Sequence, residues 1–256
     1  METNREQKSG AEGIMPYDRS RPKGEQIEEM FDAIAPAYDF MNRAMTFGMH
    51  VRWRNKALQL LEDSLDSPPE KIIDLATGTG DVAFALAAKF PGSDITGCDL
   101  SSRMLAIAEE KKTHLAPEEA ARLSFSQGDC LKLPYSSESF DVATIAYGVR
   151  NFENLRAGLE SIFRILKKGG RLIILELSRP ENIILRAGYD LYSQLLIPAA
   201  GRLASGDSRA YKYLPQSIKA MPSRKEMKSL MESIGFSSVR FKSLTMGVVT
   251  IYNAEK

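Results

Sequence analysis

The segment Ile72-Ile-Asp-Leu-Ala-Thr-Gly-Thr-Gly-Asp81 is the strongest indication of the fold, because a mostly apolar run there enters a glycine-containing turn and then a helix. Gly78 and Gly80 can adopt a positive φ and let a ligand approach the backbone closely. The first N–H groups of a helix lack intrahelical partners, so the helix that begins at Asp81 offers donors to a ligand. The segment predicts a buried strand followed by a ligand-binding turn.

Downstream of this turn, short apolar runs alternate with patterns of helical period. Such alternation implies parallel strands joined by right-handed crossovers, which predicts an α/β fold with a doubly wound, mostly parallel sheet. The helical pattern that begins at Leu155 ends at Gly169-Gly170. The predicted strands are Lys71–Ala76, Asp94–Asp99, Leu123–Gln127, Phe140–Ala146 and Arg171–Leu177, and the predicted helices are Asp81–Lys89, Ser102–Lys112 and Leu155–Leu166.

The N-terminal part of the chain lacks this alternation. Residues 1–26 carry Gly, Pro and charged residues with little periodicity, which predicts a mobile arm without a fold. Residues 27–67 carry apolar residues at helical spacing, interrupted near Pro36 and Gly48, and predict a helical N-terminal segment. We expect one domain over residues 27–256.

The C-terminal third contains an insertion and a change of strand direction. Residues 180–222 interrupt the alternation with an amphipathic helix around residues 184–203, which we expect to form a lid. Ser223 and Glu226 form a capping box that opens a further helix. The apolar runs Val239–Leu244 and Val248–Tyr252 then predict a C-terminal antiparallel hairpin.

Composition excludes several classes of protein. The 256 residues are 43% hydrophobic and 26% charged, which is typical of a globular protein, and a net charge of +1 disfavours a general nucleic-acid binder. Cys98 and Cys130 are too few for a disulfide framework and suit a reducing cytoplasm. The N-terminus lacks the apolar region of a signal peptide, and no run approaches the length of a membrane span.

Two ligands fit the glycine turn. Gly78 to Ala83 matches the GxGxxA pattern of a dinucleotide site, and Asp99, which ends the second strand, could accept hydrogen bonds from ribose hydroxyls in either ligand. Asp74 and Asp81 crowd the turn with negative charge, which is unfavourable beside a pyrophosphate but tolerable beside a sulfonium and an ammonium group. The turn therefore favours S-adenosylmethionine.

A second acidic position supports an adenosine site. Asp129 follows the third predicted strand, where it could accept from the adenine amino group while the Cys130 N–H serves a ring nitrogen. A turn Gly-Asp is the alternative for Asp129 alone. The set of Asp74, Gly78, Gly80, Asp99 and Asp129, at the ends of three successive strands, is a stronger signal than any member. The two histidines, His50 and His114, lack ligand spacing, so we expect no metal site.

At this point the sequence resembles the class I S-adenosylmethionine-dependent methyltransferases, with a seven-stranded Rossmann-like sheet. Within that class it is similar to the menaquinone and ubiquinone biosynthesis methyltransferase family, from about Met30 to Tyr252. The motifs that carry the resemblance are Tyr38-Asp-Phe-Met-Asn42 with Thr46-Phe-Gly48 and His50-Val-Arg-Trp53, Tyr147-Gly-Val-Arg150-Asn151, Arg164 to Ser178, Tyr211 to Ile218 and Thr245 to Val249. Lys168, Thr46 and Ala146 depart from residues common at these positions, and Ala146 puts one cofactor contact in doubt.

The resemblance implies methylation of a ring carbon of a polyprenyl hydroquinone, with Thr79, Asp99, Asp129 and Cys130 as cofactor contacts. The preferred substrate is demethylmenaquinol, and a polyprenyl methoxybenzoquinol of the ubiquinone pathway is the alternative. The ring must lose a proton after methylation, so a base is expected. The candidates for catalytic residues are Tyr38, Asp39, His50, Arg150 and Asn151, with Arg150 as a group that stabilises an oxyanion.

Three further questions stay open at this stage. The apolar insertion fits a groove for the isoprenoid tail, contact with the membrane surface at its inner face, or a lid packed on the sheet. A homodimer is one of two oligomeric states that the sequence allows. A nicotinamide-dependent oxidoreductase and a non-catalytic protein that binds S-adenosylmethionine are the alternatives of other classes.

Overall fold

The computed structural model describes residues 10–192 and 208–256, and its centre is one seven-stranded sheet. The strand order is β3-β2-β1-β4-β5-β7-β6. Strands β1 to β5 are parallel, while β7 runs antiparallel to both β5 and β6. The strands are β1 (Lys71–Leu75), β2 (Asp94–Asp99), β3 (Leu123–Gln127), β4 (Phe140–Ala146), β5 (Leu166–Leu177), β6 (Ser237–Leu244) and β7 (Val249–Glu255).

Helices cover both faces of the sheet and its carboxyl edge. α8 is helical over residues 183–192, where the described range is interrupted. The others are α1 (Lys23–Ile34), α2 (Tyr38–Met45), α3 (Met49–Glu62), α4 (Asp81–Lys89), α5 (Ser102–Lys112), α6 (Pro117–Ala120), α7 (Leu155–Ile165), α9 (Ser208–Ala220) and α10 (Arg224–Ile234). This architecture confirms the predicted α/β sheet, the helical N-terminal segment and the C-terminal hairpin.

The chain reverses its direction of winding at β1, which lies between β2 and β4. Successive side chains of β1 point to opposite faces, so Ile73 and Leu75 enter one core while Ile72 enters the other. A topological switch point of this kind leaves a crevice outside the carboxyl ends of the strands. The fold therefore places the ends of β1, β2 and β4 beneath a ligand-sized opening.

The N-terminal helices cover this crevice. Ile27 and Met30 of α1 and Met41 of α2 pack with Met104 of α5 and Tyr213 of α9 in a third, smaller core. This core lies apart from the two cores that sandwich the sheet. The helical segment of residues 27–67 is thus part of the wall of the crevice as well as a support for it.

The arm differs from its prediction from residue 10 onward. A 3-10 turn at Gly10–Gly13 precedes α1, which begins at Lys23, a fully buried residue. The Lys23 ammonium donates to the carbonyl oxygens of Ala11 (2.6 Å), Arg150 and Phe152 (3.3 Å each). No sequence pattern predicts this burial, because the three carbonyl groups that bind the ammonium are recognised only once the chain has folded.

The boundary between α7 and β5 also differs from its prediction. The helix ends at Ile165, and the strand begins at Leu166 instead of Arg171, so Gly169 and Gly170 lie inside β5. Gly169 has a φ of 74°, and a Cβ on Gly170 would lie 2.8 Å from the Lys167 carbonyl oxygen. The two glycines therefore permit an irregular start of the strand rather than capping the helix.

Within residues 10–192 and 208–256, no helix is long and apolar enough to span a bilayer. The predicted amphipathic helix of the insertion is observed as far as residue 192, and the rest of that prediction, including Leu195, Leu196, Ile197 and Arg202, lies outside the described residues.

Candidate active site

Two neighbouring cavities open at the carboxyl edge of the sheet, beneath α1, α2 and α9. The larger has a volume of about 580 Å³ and the smaller of about 60 Å³. They adjoin, because six residues line both: Phe31, Tyr38, Ala76, Ala146, Tyr147 and Asn151. A ligand that occupies the smaller cavity can therefore present one end to a second ligand in the larger.

The glycine turn and the end of β2 form one wall of the smaller cavity. The Asp99 carboxylate accepts from the N–H of Gly78 (2.7 Å) and from the N–H of Ser101 (2.9 Å). Gly80 has a φ of 83°, and a Cβ there would lie 2.7 Å from Phe84. Burial raises the pKa of Asp99 above its ordinary value, although the backbone donors oppose this. The turn is thus fixed in shape by a carboxylate that has further lone pairs for a ligand.

Asp74 lies at the floor of the larger cavity, fully enclosed at the end of β1. Its carboxylate accepts from the hydroxyls of Thr77 and Thr144, both at 2.6 Å. Burial raises the pKa of Asp74 to about 7, despite these two donors. A cationic ligand group in this cavity would favour the ionised form and lower that pKa.

Asp129 and Cys130 line the smaller cavity together with Gly78 of the glycine turn. The Asp129 carboxylate accepts from the Leu131 N–H (2.9 Å) and so caps a 3-10 turn. Cys130 is buried, and burial raises the pKa of its thiol. The structure therefore brings Asp99, Asp129 and Cys130 to one cavity, as the sequence predicted, and the turn alternative for Asp129 holds at the same time.

Thr79 and Asp39 connect the glycine turn to α2. The Thr79 hydroxyl donates to the Asp39 carboxylate (2.6 Å), which also pairs with the Lys111 ammonium (2.5 Å). The same ammonium donates to the Thr79 carbonyl oxygen (3.2 Å). Asp39 is thus engaged by two partners, and a role in holding α2 over the turn fits its contacts better than a role as a base.

His50 lines the larger cavity with one ring nitrogen held by Thr46. The Thr46 hydroxyl donates its only hydrogen to the Asn42 carbonyl oxygen (2.6 Å), while Oγ1 lies 2.9 Å from Nδ1 of His50. Nδ1 must therefore carry the hydrogen and donate, which leaves the lone pair on Nε2 when the ring is neutral. Burial lowers the pKa of His50 below its usual value.

This geometry makes His50 a testable base. Because the lowered pKa keeps the imidazole neutral as the pH falls through 6.5, we expect kcat to decline only below about pH 6.5. We expect His50→Ala to reduce kcat by about 100-fold or more and to leave the Kd of S-adenosylmethionine unchanged. Turnover assays across pH 5–9, with calorimetric titration of the cofactor, check this. Wild-type kcat in the variant would eliminate His50 as the base.

Arg150 is held in a buried ion pair beside the junction of the two cavities. Its guanidinium Nη1 lies 2.8 Å from the Glu176 carboxylate and also donates to the Tyr147 carbonyl oxygen. The side chains of Arg150 and Glu176 are only 9% and 2% exposed. Burial alone would lower the pKa of Arg150, but the Glu176 carboxylate holds it above its ordinary value. The guanidinium therefore presents a permanent charge.

Sequence reasoning did not single out Glu176, the buried partner of Arg150, or some of the residues that line the larger cavity. A lone acid within the apolar run Arg171–Leu177 was a signal for Glu176. Four tyrosines also line this cavity, where α8, α9 and the end of β4 bring them together. The two of α8 belong to the insertion that was expected to fit a groove for the isoprenoid tail, and the other two were not predicted as site residues. The four are Tyr147, Tyr189, Tyr192 and Tyr213. Their hydroxyls and the apolar side chains around them suit an aromatic ligand with polar substituents.

Comparison with known proteins identifies relatives of the whole chain. The model of the ubiE/COQ5 methyltransferase family matches residues 19–256. Demethylmenaquinone methyltransferase of Porphyromonas gingivalis is 44% identical over 94% of this chain and 97% of that protein. The ubiquinone/menaquinone biosynthesis C-methyltransferase UbiE of Geotalea daltonii is 41% identical over 91% of this chain and 97% of that protein.

A solved structure supports the fold independently. Phosphoethanolamine N-methyltransferase 2 of Haemonchus contortus, in complex with S-adenosyl-L-methionine, superposes with a TM-score of 0.57. It is 16% identical in sequence and aligns with 79% of this chain and 52% of that chain. The likeness shows that the two chains share the α/β sheet and its crossovers.

Proposed function

This chain belongs to the ubiE/COQ5 methyltransferase family, and we propose from that premise and from the site that it converts demethylmenaquinol to menaquinol. It is an S-adenosylmethionine-dependent C-methyltransferase of menaquinone biosynthesis. The observation that carries the assignment of its site is the pair of adjoining cavities. The smaller is lined by Gly78, Asp99 and Asp129, and the larger by apolar and aromatic side chains together with charged groups such as Asp74 and Arg150. The nicotinamide-dependent alternative is wrong, because the family and its relatives are methyltransferases.

The residues of the smaller cavity fit S-adenosylmethionine. Asp99 has lone pairs for ribose hydroxyls beyond those used by Gly78 and Ser101, and Asp129 stands across the cavity for the adenine. A Cβ on Gly78 would meet only Tyr38 within 4 Å, at 3.7 Å, so the turn leaves room for a ligand. When bound, S-adenosylmethionine supplies a methyl group activated by a positive sulfonium. Asp74, with a pKa of about 7, would become ionised beside its cationic end.

The larger cavity fits the hydroquinone ring. Ionisation of one hydroxyl raises the electron density of the adjacent ring carbon, so a cationic donor near that oxygen favours the reactive form. Arg150 supplies such a donor because its charge is permanent and its side chain is fixed by Glu176. Nε2 of His50 accepts the ring proton that must leave once the new carbon–carbon bond has formed. Holding the two reactants in line is worth roughly 7–11 kcal/mol of the barrier.

A direct comparison of naphthoquinol and benzoquinol substrates tests which ring the enzyme prefers. Short-chain demethylmenaquinol and the matching polyprenyl methoxybenzoquinol are offered in parallel, under strong reductant, with methyl-labelled S-adenosylmethionine. We expect label in the naphthoquinol product at a kcat/KM at least tenfold above that of the benzoquinol, as the relation to demethylmenaquinone methyltransferases favours. Equal kcat/KM for both rings would establish the dual activity, and a faster benzoquinol reaction would overturn the preference.

The rim of the larger cavity supports contact with a membrane surface, where a polyprenyl quinol resides. Large apolar side chains are exposed on three segments that contribute to the cavity wall: α2 with the start of α3, α8, and the turn before β7. These residues are Phe40, Phe47, Val51, Ile183, Ile184, Leu185, Leu191 and Met246. Exposed Arg43 and Arg52 lie among them and suit anionic headgroups.

Phe47 is the best test of this membrane contact, since its side chain is 78% exposed. We expect Phe47→Glu to weaken binding to phosphatidylethanolamine–phosphatidylglycerol vesicles about tenfold, measured by co-sedimentation, with turnover of a short-chain quinol retained. Phe241→Glu is the matched control, because Phe241 is exposed on the edge strand β6, away from both cavities. Equal vesicle affinity of Phe47→Glu and wild type would refute the contact.

A further inference from the structure

Buried polar atoms without a hydrogen-bond partner concentrate at the larger cavity. Among residues 10–192 and 208–256 the buried side-chain atoms of this kind are four: Arg54 Nε, the Tyr147 hydroxyl, Arg150 Nε and Asn253 Oδ1. The first three belong to residues that line the larger cavity. Native proteins provide a hydrogen-bond partner for nearly all buried polar atoms. Unpaired atoms beside a cavity therefore indicate a ligand that binds there and supplies the missing partner.

Two of these atoms, the Tyr147 hydroxyl and Arg150 Nε, belong to residues that contact each other in the cavity wall. The Arg150 guanidinium donates through Nη1 to the carbonyl oxygen of Tyr147, which places the two residues in contact. Nη1 is also the nitrogen that pairs with Glu176, so the Nε side of the guanidinium is the side without a partner. Arg54 differs, because it belongs to α3 and is paired with Asp81 (2.5 Å).

The backbone forces the Tyr147 ring into this position. Tyr147 has a φ of 57°, a left-handed conformation that costs an aromatic residue about 1–3 kcal/mol. Its N–H is fixed by the Leu175 carbonyl oxygen (2.7 Å), and a Cβ on the next residue, Gly148, would lie 2.6 Å from the Ala76 side chain. Ala76, at the end of the neighbouring strand β1, has a φ of 49°. The strained pair stands where the two cavities meet.

The Tyr147 hydroxyl and Arg150 Nε are both hydrogen-bond donors, and together they suit an anionic oxygen as acceptor. Burial raises the pKa of Tyr147 above its usual value, so its hydroxyl stays protonated and can donate. Arg150 Nε is an N–H donor at every accessible pH. Both donors belong to residues that line the larger cavity, which adjoins the cofactor site and must hold the nucleophile. Charge-assisted hydrogen bonds to such an oxygen are stronger than neutral ones.

We propose that the Tyr147 hydroxyl and Arg150 Nε together donate hydrogen bonds to the ionised ring oxygen of the hydroquinone, which makes Tyr147 a catalytic residue. This inference rests on the proposed function and adds to it the group that stabilises the phenolate. The hydroxyl bonds the oxygen next to the carbon that accepts the methyl group, and it keeps its own proton throughout.

Tyr147→Phe removes the hydroxyl and keeps the ring. We expect kcat with short-chain demethylmenaquinol to fall about 10- to 100-fold, with the Kd of S-adenosylmethionine and the midpoint of thermal unfolding unchanged. Loss of a donor raises the pKa of the bound quinol, so kcat of the variant should recover toward the wild-type value as the pH is raised from 7 to 9.5. A purely structural defect gives no such recovery.

Tyr252→Phe is the matched control, since Tyr252 is a buried tyrosine of β7 that lines neither cavity. Wild-type kcat in Tyr147→Phe, or a lowered kcat that does not recover at high pH, would overturn the inference. A tenfold weaker Kd for S-adenosylmethionine would also overturn it and assign the hydroxyl to the cofactor. These outcomes differ from failure of the proposed function, in which the wild-type enzyme itself transfers no methyl group to the quinol.

Discussion

Asp99→Asn is expected to raise the Kd of S-adenosylmethionine by about 100-fold or more, measured by isothermal titration. The change removes the charge that would accept from the ribose hydroxyls and weakens the hold on the Gly78 N–H. It should not lower the free energy of unfolding. The pKa of Asp99 is raised in the folded protein, so at neutral pH the fold holds this charge less favourably than the unfolded chain does.

Asp141→Asn is a matched control, for which we expect lower stability and unchanged affinity for the cofactor. Asp141 also accepts from two backbone N–H groups, those of Glu70 and Lys71, but at the amino ends of the strands. Its pKa is lowered, because the Lys167 ammonium and these N–H groups outweigh the effect of burial. The control should therefore lose stability at neutral pH and keep its cofactor affinity. Wild-type cofactor affinity in Asp99→Asn would remove that carboxylate from the site.

Arg150→Met should have the largest effect on turnover. In combination with a second substitution, it distinguishes a loss of stability from a loss of catalysis. The single variant leaves Glu176 buried without its cationic partner, which costs about 3–5 kcal/mol of stability. Loss of the charge near the quinol oxygen should lower kcat by about 100- to 1000-fold. Denaturant unfolding and turnover at a temperature where the variant is folded measure the two effects.

The double variant Arg150→Met/Glu176→Gln removes both charges of the pair. It should regain most of the stability lost in the single variant, because no uncompensated charge remains in the interior. Its kcat should stay as low as that of Arg150→Met. If kcat returned to within tenfold of wild type together with stability, Arg150 would be a structural residue only, and the oxyanion role would be lost.

The fold could be predicted from the sequence because its signals are local. Ile72 and Ile73 place apolar side chains on both faces of β1, and the glycine turn follows at once, so the sequence predicts both the central strand and the edge where the ligand binds. Asp99 and Asp129 follow from the same logic, since the carboxyl ends of parallel strands meet at one edge. The capping box at Ser223 and Glu226 is observed as predicted, because its signal lies within four consecutive residues.

What the sequence could not reveal depends on contacts between distant residues. Lys23 is buried because it serves carbonyls more than a hundred residues away, those of Arg150 and Phe152. Tyr147 reads as an aromatic residue at the end of a strand, and only its positive φ and unpartnered hydroxyl mark it. The tautomer of His50 depends on neighbours only four residues apart, but the residue types do not show that Thr46 gives its hydrogen to Asn42. Features of this kind leave no recurring pattern in the sequence from which they could be predicted.

The central claim, methyl transfer to a carbon of a reduced naphthoquinone, has one direct measurement. The wild-type enzyme is incubated with methyl-labelled S-adenosylmethionine and short-chain demethylmenaquinone, with dithionite and without it, and the labelled product is located by mass spectrometry and NMR. We predict label on the ring carbon only when the ring is reduced. Label on oxygen, or no label with the reduced ring although the cofactor binds, would contradict the account.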